Sequence, residues 1–142
     1  DKDYALYSKT NIGLVYRRQG EYEKAIELFK EILKDKNLKN RDPSSYVTAK
    51  SELAYNSFLN GNKEFKQQET ALKEAHLIAV EQEDYTEVIS TSEFLSDFYL
   101  KQNQKDSALK YANIAYNKSK QTNSNVSLLN ALNSLTQYIV VV

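Results

Sequence analysis

The sequence predicts an all-α fold in which antiparallel helical hairpins stack on one another. Only three glycines and one proline occur in 142 residues, which favours helix because a sheet needs many more turns. Apolar side chains recur three and four residues apart, as on a helix with one buried face. A pattern centred on a small residue recurs at Gly13, Ala54, Ser96 and Thr136, with separations of 41, 42 and 40 residues. Such a period indicates repeated supersecondary units.

The clearest unit is NIGLVYRRQGEYEKAIELFKEIL, residues 11–33. Gly20 is expected to end its first helix, because glycine readily adopts the left-handed conformation found after helix ends. Gly13 and Ala25 are small, so we expect the two helix backbones to approach closely there. The second helix carries one apolar stripe, formed by Tyr22, Ala25, Ile26, Phe29, Ile32 and Leu33.

This unit resembles the tetratricopeptide repeat. The residues that fit the family pattern in register are Ile12, Gly13, Tyr16, Gly20, Tyr22, Ala25, Phe29 and Ile32. Lys9 departs from it at the tryptophan-like position, and the closing proline is missing near residues 35–40. The period alone would favour armadillo or HEAT repeats, which have ~40–47 residues, over the tetratricopeptide repeat, which usually has ~34. The residue pattern, however, favours the tetratricopeptide repeat. The long period resembles the repeat regions of bacterial sensor kinases and transcriptional regulators, including peptide receptors of quorum sensing.

Three weaker units follow in the same register. In the second, Gly61 stands where Gly20 stands in the first, and the stripe of the next helix is displaced by about two residues. In the third, Asn103 replaces the turn glycine, and asparagine is the next best residue there. A turn at 123–125 leads into the fourth unit, over 126–142, which lacks its second helix.

These signals predict one domain of about three and a half repeats, a right-handed superhelix, in the chain of 142 residues. The longest polar connector is 37–45, with Ser44 or Ser45 as the N-cap of the next helix. Because the chain begins at Asp1 and holds no methionine, we expect a fragment of a longer protein. The units are predicted at about 3–36, 44–82, 85–121 and 126–142. The seven helices are predicted at 3–19, 21–36, 46–60, 64 to about 82 and 85–102, then one that follows the turn at Asn103 within the third unit, and 126–142.

The composition argues against several classes of function. Nineteen basic and nineteen acidic residues cancel, so nothing favours nucleic acid or an anionic membrane. There is no cysteine, and a lone histidine, His76, cannot complete a usual zinc set or a convincing catalytic triad. We therefore predict no enzyme, cofactor or metal, and the compartment stays open between the cytoplasm and the periplasm.

In the family that the sequence resembles, the first helix of each hairpin lines a concave groove. That resemblance implies a protein or peptide segment as the partner. Glu52, Glu93 and Asp97 would converge to suit a basic segment, unless they are ordinary solvated charges. The alternatives are a peptide-pheromone receptor domain and a self-associating module, a homodimer. The groove residues implied by the register are Tyr7, Asn11, Leu14, Arg17, Glu52, Tyr55, Phe58, Glu93, Asp97 and Asn133.

Overall fold

The computed structural model describes residues 2–122 and 125–139, and it confirms the all-α fold. Part of the predicted turn at 123–125 and the residues 140–142 lie outside the described residues. Within the described part, no helix combines the length and apolarity that crossing a bilayer would require. The helices described are α1 Lys2–Arg18, α2 Tyr22–Ile32, α3 Leu38–Arg41, α4 Pro43–Leu59, α5 Phe65–Glu81, α6 Tyr85–Lys101, α7 Lys105–Thr122 and α8 Asn125–Ile139.

The connector 37–45 is not wholly polar, and it adds one helix to the seven predicted. A single turn, α3, buries Leu38 in a cluster with Ala25, Phe29, Ile32 and Ala49. The predicted N-cap is also wrong. Asp42 caps α4, accepting hydrogen bonds from the backbone N–H of Ser45 at 3.1 Å and from its hydroxyl at 2.6 Å. Pro43 follows at the first helical position, where its missing N–H costs no hydrogen bond.

The turn inside each hairpin is the same. Gly20, Gly61 and Asn103 have φ angles of +77°, +91° and +61°, as the sequence predicts for residues that end a helix. At each turn, the N–H of the residue that follows the positive-φ residue donates to the carbonyl oxygen five residues before it. This hydrogen bond is the mark of the Schellman motif. These bonds run from Glu21 to Tyr16 at 2.9 Å, from Asn62 to Ser57 at 3.0 Å and from Gln104 to Tyr99 at 2.9 Å. The repeat read in the sequence is therefore a repeat of local structure.

The chain divides into two compact structural units, the first unit, residues 1–78, and the second unit, residues 79–142. Each of these is larger than one predicted repeat. In the first unit, α1 packs on α2 where Gly13 lies. The atoms nearest to Gly13 belong to the ring of Phe29 and not to Ala25. The close approach of the two helix backbones stays a prediction. A Cβ added to Gly13 would lie 2.6 Å from Phe29 Cζ. Glycine at 13 thus makes room for a buried aromatic ring.

In the second unit, α6 is the most deeply buried helix described and packs on α7. Ser96, which stands in the register of Gly13, donates from Oγ to the carbonyl oxygen of Ala108 at 2.9 Å. The ring of Tyr99 stacks on that of Tyr111, with centroids 5.8 Å apart. A small residue on the first helix again allows close contact with the second.

Candidate partner-binding surface

The first part of the predicted surface lies on one face of α1. Tyr7, Asn11 and Leu14 are spaced four and three residues apart, so a helix places them on the same side. Tyr7 is 68% exposed and Asn11 is exposed. Leu14 is half-buried and packs against the core cluster that contains Phe29. Tyr7 and Asn11 are accessible to another chain, whereas Leu14 anchors the helix.

An ion pair joins α1 to α4 within the first unit. Arg17 Nε donates to Glu52 Oε2 at 2.7 Å, and its guanidinium carbon lies 5.9 Å from the centroid of the Tyr55 ring. Glu52 is only 2% exposed. Burial raises the pKa of its carboxyl above the ordinary value, although the hydrogen bonds from Arg17 and Asn56 act in the opposite direction. Arg17 therefore compensates a charge that water cannot reach.

Asn56 completes this cluster and was missed in the sequence. Its Nδ2 donates to the carbonyl oxygen of Glu52 at 2.7 Å and to the Oε2 atom at 3.0 Å. The side chain of Asn56 is fully buried. The spacing of four residues on one helix was the available signal. The Glu52 carboxylate is buried and accepts hydrogen bonds from two side chains. A partner would therefore contact the side chains that cover Glu52 and not the carboxylate itself.

Phe58, the last predicted residue of the first unit, is half-buried near the end of α4. Its ring meets that of Phe65 edge-on, with centroids 6.1 Å apart and planes at 68°. Phe65 begins α5, so this aromatic pair spans the turn at Gly61. Phe58 therefore stabilises the hairpin as well as contributing to its surface.

A family model described as the tetratricopeptide repeat matches residues 8–36. Residues 8–36 form a tetratricopeptide repeat. The match covers most of α1, the turn at Gly20 and α2, which is the hairpin that the sequence singles out. No match was found among curated proteins or among solved structures. Since tetratricopeptide repeats are protein-interaction modules, the chain carries such a module.

Lys9 takes a different role from the residue usual at its place in the tetratricopeptide repeat. Its Nζ lies 2.8 Å from Glu31 Oε1, which links α1 to α2 across the hairpin. The hydrogen bond and charge of Lys9 lower the pKa of the Glu31 carboxyl. Both side chains are about half exposed, so water screens the pair and its contribution to stability is small.

In the second unit, Glu93 and Asp97 are half-buried on α6. Asp97 Oδ2 lies 2.6 Å from Lys101 Nζ, one helical turn further on. Asn133 is exposed on α8. The approach of Glu52 to Glu93 and Asp97 stays a prediction, as does the use of these residues by a partner.

Outside the tetratricopeptide repeat, His76 is half-buried on α5, as expected for a packing residue. Among residues 2–122 and 125–139, no group of three or more histidine and carboxylate side chains is placed to hold a metal ion.

Proposed function

We propose that the chain is a non-enzymatic module that binds a protein or peptide segment, in the repeat region of a bacterial signalling or regulatory protein. The tetratricopeptide repeat at 8–36 carries this proposal, because such repeats hold other chains. The recurrence of its turn at Gly61 and Asn103 supports further hairpins built on the same motif. The bacterial regulatory setting is favoured by the spacing of about 41 residues between equivalent positions.

The surface proposed in the first unit runs over Tyr7 and Asn11 of α1 and Tyr55 and Phe58 of α4. Tyrosine suits this role because it offers a large apolar ring together with a polar hydroxyl, and it is enriched among residues that dominate binding energy. Arg17 lies against the Tyr55 ring and limits the positions that this ring can take. A preorganised ring loses less entropy when a partner binds.

The charge balance of this surface argues against a strongly basic partner in the first unit. Glu52 is buried and its charge is matched by Arg17. A basic segment would therefore have to displace Arg17 before it could pair with that carboxylate. We infer a partner segment whose apolar and neutral polar side chains meet the tyrosines.

Site-specific photo-crosslinking tests this proposal. A benzophenone amino acid replaces Tyr7 in one variant and Leu77, an exposed residue of α5, in a matched control. In cells of the source organism, the variant at 7 should form an adduct with one defined protein, and the control at 77 should not. Equal adducts at the two positions, or none at 7, would contradict the proposed surface.

A second candidate function, self-association, is favoured by α8. Leu129 and Leu132 are 58% and 40% exposed, and they stand in the register of Leu6 and Lys9, which face α2 in the first hairpin. Such an apolar face can pair with a copy of itself. Sedimentation equilibrium should show a dimer that the double change Leu129→Glu and Leu132→Glu abolishes. A monomer at all concentrations would exclude it.

The remaining alternative, a peptide-pheromone receptor domain, stays a prediction. It differs from the first proposal in its ligand, a short free peptide instead of a segment of a folded protein. Thermal unfolding in the presence of short secreted peptides of the source organism separates the two. A raised midpoint would favour the receptor, and an unchanged midpoint would exclude it.

A further inference from the structure

The turn of the second hairpin is longer than the corresponding turns of the first and third. Three residues separate α1 from α2 and α6 from α7, whereas five residues, 60–64, separate α4 from α5. All five are exposed. Apart from the chain neighbours of Gly61, no atom lies within 4 Å of the place where a side chain would begin there. Because few contacts hold this segment, we expect it to open more easily than the helices that it joins.

The residue that precedes the positive-φ residue differs between the hairpins. It is Gln19 in the first, Asn60 in the second and Gln102 in the third. Among the three glycines of the sequence, Gly61 alone follows an asparagine. Asparagine is one methylene shorter than glutamine, so its side-chain carbonyl carbon can close a five-membered ring with the next backbone nitrogen. Glutamine would need a six-membered ring, which closes much more slowly in this reaction.

The structure leaves the side chain of Asn60 exposed at the end of α4, where φ is −80° and ψ is 3°. No other described residue forms a hydrogen bond with its side-chain amide. By contrast, Asn62 Oδ1 accepts from the backbone N–H of Glu64 at 2.8 Å. The N–H of Gly61 donates to the carbonyl oxygen of Phe58 at 3.1 Å. This bond must break before the nitrogen of Gly61 can react, so the reaction passes through a locally opened turn.

We propose that Asn60 is a site of spontaneous deamidation, with the backbone nitrogen of Gly61 as the nucleophile. This nitrogen loses its proton to hydroxide and attacks Cγ of Asn60, unobstructed because glycine has no side chain. The bond from Cγ to the side-chain nitrogen breaks, ammonia leaves, and a succinimide ring remains. Water then opens the ring at either carbonyl and gives aspartate or isoaspartate, so that water is consumed and ammonia is released in equal amounts. This site does not depend on the surface proposed around Tyr7.

Both products disturb the turn of the second hairpin. A carboxylate at the C-terminal end of α4 is unfavourable, because the helix dipole places partial negative charge there. Isoaspartate also carries the main chain through its side-chain carbon, which lengthens the chain by one bond of about 1.5 Å. The added bond would displace the N–H of Asn62 from the carbonyl oxygen of Ser57, which it now meets at 3.0 Å. The edge contact of Phe58 with Phe65 spans the same turn and would be disturbed with it.

Mass spectrometry of the full chain tests the proposal, after incubation in neutral and in mildly alkaline buffer and tryptic digestion at mildly acidic pH. Peptide 51–63 contains Asn60 and Asn62, which fragmentation distinguishes. Compared with an unincubated sample, Asn60 should convert to aspartate and isoaspartate, and faster in the alkaline buffer because the attacking nitrogen must lose a proton. Asn62 and Asn103, exposed in turns but followed by residues with side chains, should convert several-fold more slowly. Equal conversion at all three, or no isoaspartate at 60, would overturn the proposal.

Asn60→Gln is the matched control, because it keeps an amide at this position. Glutamine fits there in the third hairpin, where Gln102 Nε2 donates to the carbonyl oxygen of Phe98 at 3.1 Å. The variant should lose the conversion, while its thermal midpoint stays constant or rises. Conversion at the wild-type rate would show that no five-membered ring is involved.

Hydrogen exchange on the modified chains, separated by ion exchange, tests the effect on the turn. The amide of Asn62 should exchange several-fold faster in them than in unmodified chains, because its bond to Ser57 is lost. Incubated Asn60→Gln should show no such change. Equal protection of Asn62 in modified and unmodified chains would overturn the proposed loosening of the turn.

Discussion

Replacing Gly13 by alanine is expected to destabilise the first unit, although alanine is the better helix former. On helix propensity alone, the change would stabilise α1 by about 1 kcal/mol. The added Cβ, however, would lie 2.6 Å from Phe29 Cζ and 2.9 Å from Phe29 Cε2. The ring would have to retreat by about 0.9 Å to reach the ~3.5 Å of an ordinary carbon contact. Phe29 is fully buried, so it has little room to do so.

Forcing extra volume into a packed core costs about 1–3 kcal/mol, which exceeds the gain from propensity. We therefore expect Gly13→Ala to lower the free energy of unfolding by up to about 2 kcal/mol. In the background of Phe29→Leu, the smaller side chain removes the clash and only the propensity remains. There the same change should stabilise by about 1 kcal/mol, so its sign reverses.

Urea titration followed by the amide signals of α1 and α2 measures the first unit by itself. Asn11→Ala, on the exposed face of the same helix, is the matched control and should stabilise by roughly 0.5 kcal/mol in both backgrounds. If Gly13→Ala stabilises by about 1 kcal/mol in both backgrounds, the packing of Phe29 on Gly13 is refuted.

Five further substitutions test the turns, the cap and the buried ion pair. Replacing Glu83, whose φ is +54°, by glycine should stabilise the fold by about 1 kcal/mol. Gly61→Ala, at a φ of +91°, should destabilise it by a similar amount in thermal unfolding. Stability changes of the same sign would contradict the two turn conformations. Asp42→Ala should cost about 1 kcal/mol and Asp42→Asn much less, because asparagine also caps; an equal loss in both would rule out the cap. Arg17→Met leaves the buried Glu52 without its cation and should cost about 3 kcal/mol at pH 7 by urea titration. Arg17 lowers the pKa of Glu52 against the effect of burial, so the folded variant should take up a proton at a higher pH than the folded wild type does. The deficit should therefore shrink on acidification, and a constant deficit would contradict the buried ion pair.

The helices and the turns inside the hairpins could be predicted because their signals are local. Gly20, Gly61 and Asn103 are residues that tolerate a positive φ, and each follows an amphipathic stretch. The turn residues recur at the same spacing as the small residues of the first helices. This shared period predicted the order of the helices and turns. Local chemistry and periodicity were sufficient at these positions.

The missed elements depend on contacts that the sequence does not display. Leu38 stands alone among polar residues, and a four-residue helix offers no period to recognise. Glu83 carries no turn chemistry, yet it has a positive φ, and the N–H of Asp84 donates to the carbonyl oxygen of Ala79 at 3.0 Å as in the turns inside the hairpins. Asp42 could have been found, because an aspartate directly before a proline that starts a helix is a known cap signal.

In the candidate partner-binding surface, too, local spacing predicts some residues, whereas others depend on tertiary packing. The helix face that carries Tyr7 and Asn11 follows from spacing, but the partner of Glu52 does not. Arg17 lies 35 residues away, and only the packing of α1 against α4 brings the two together. Sequence reasoning placed Glu52 on an accessible surface, because charged residues are rarely buried unless they are paired.

Hydrogen-bond scalar couplings test the repeated hairpin most directly, since they detect the turn bonds themselves. Among its cross-peaks, a long-range HNCO spectrum of the chain should include those from Glu21 to Tyr16, from Asn62 to Ser57 and from Gln104 to Tyr99. All three are expected if one folded unit recurs along the chain. A cross-peak at Glu21 without those at Asn62 and Gln104 would confine the tetratricopeptide hairpin to residues 8–36 and contradict the repeat.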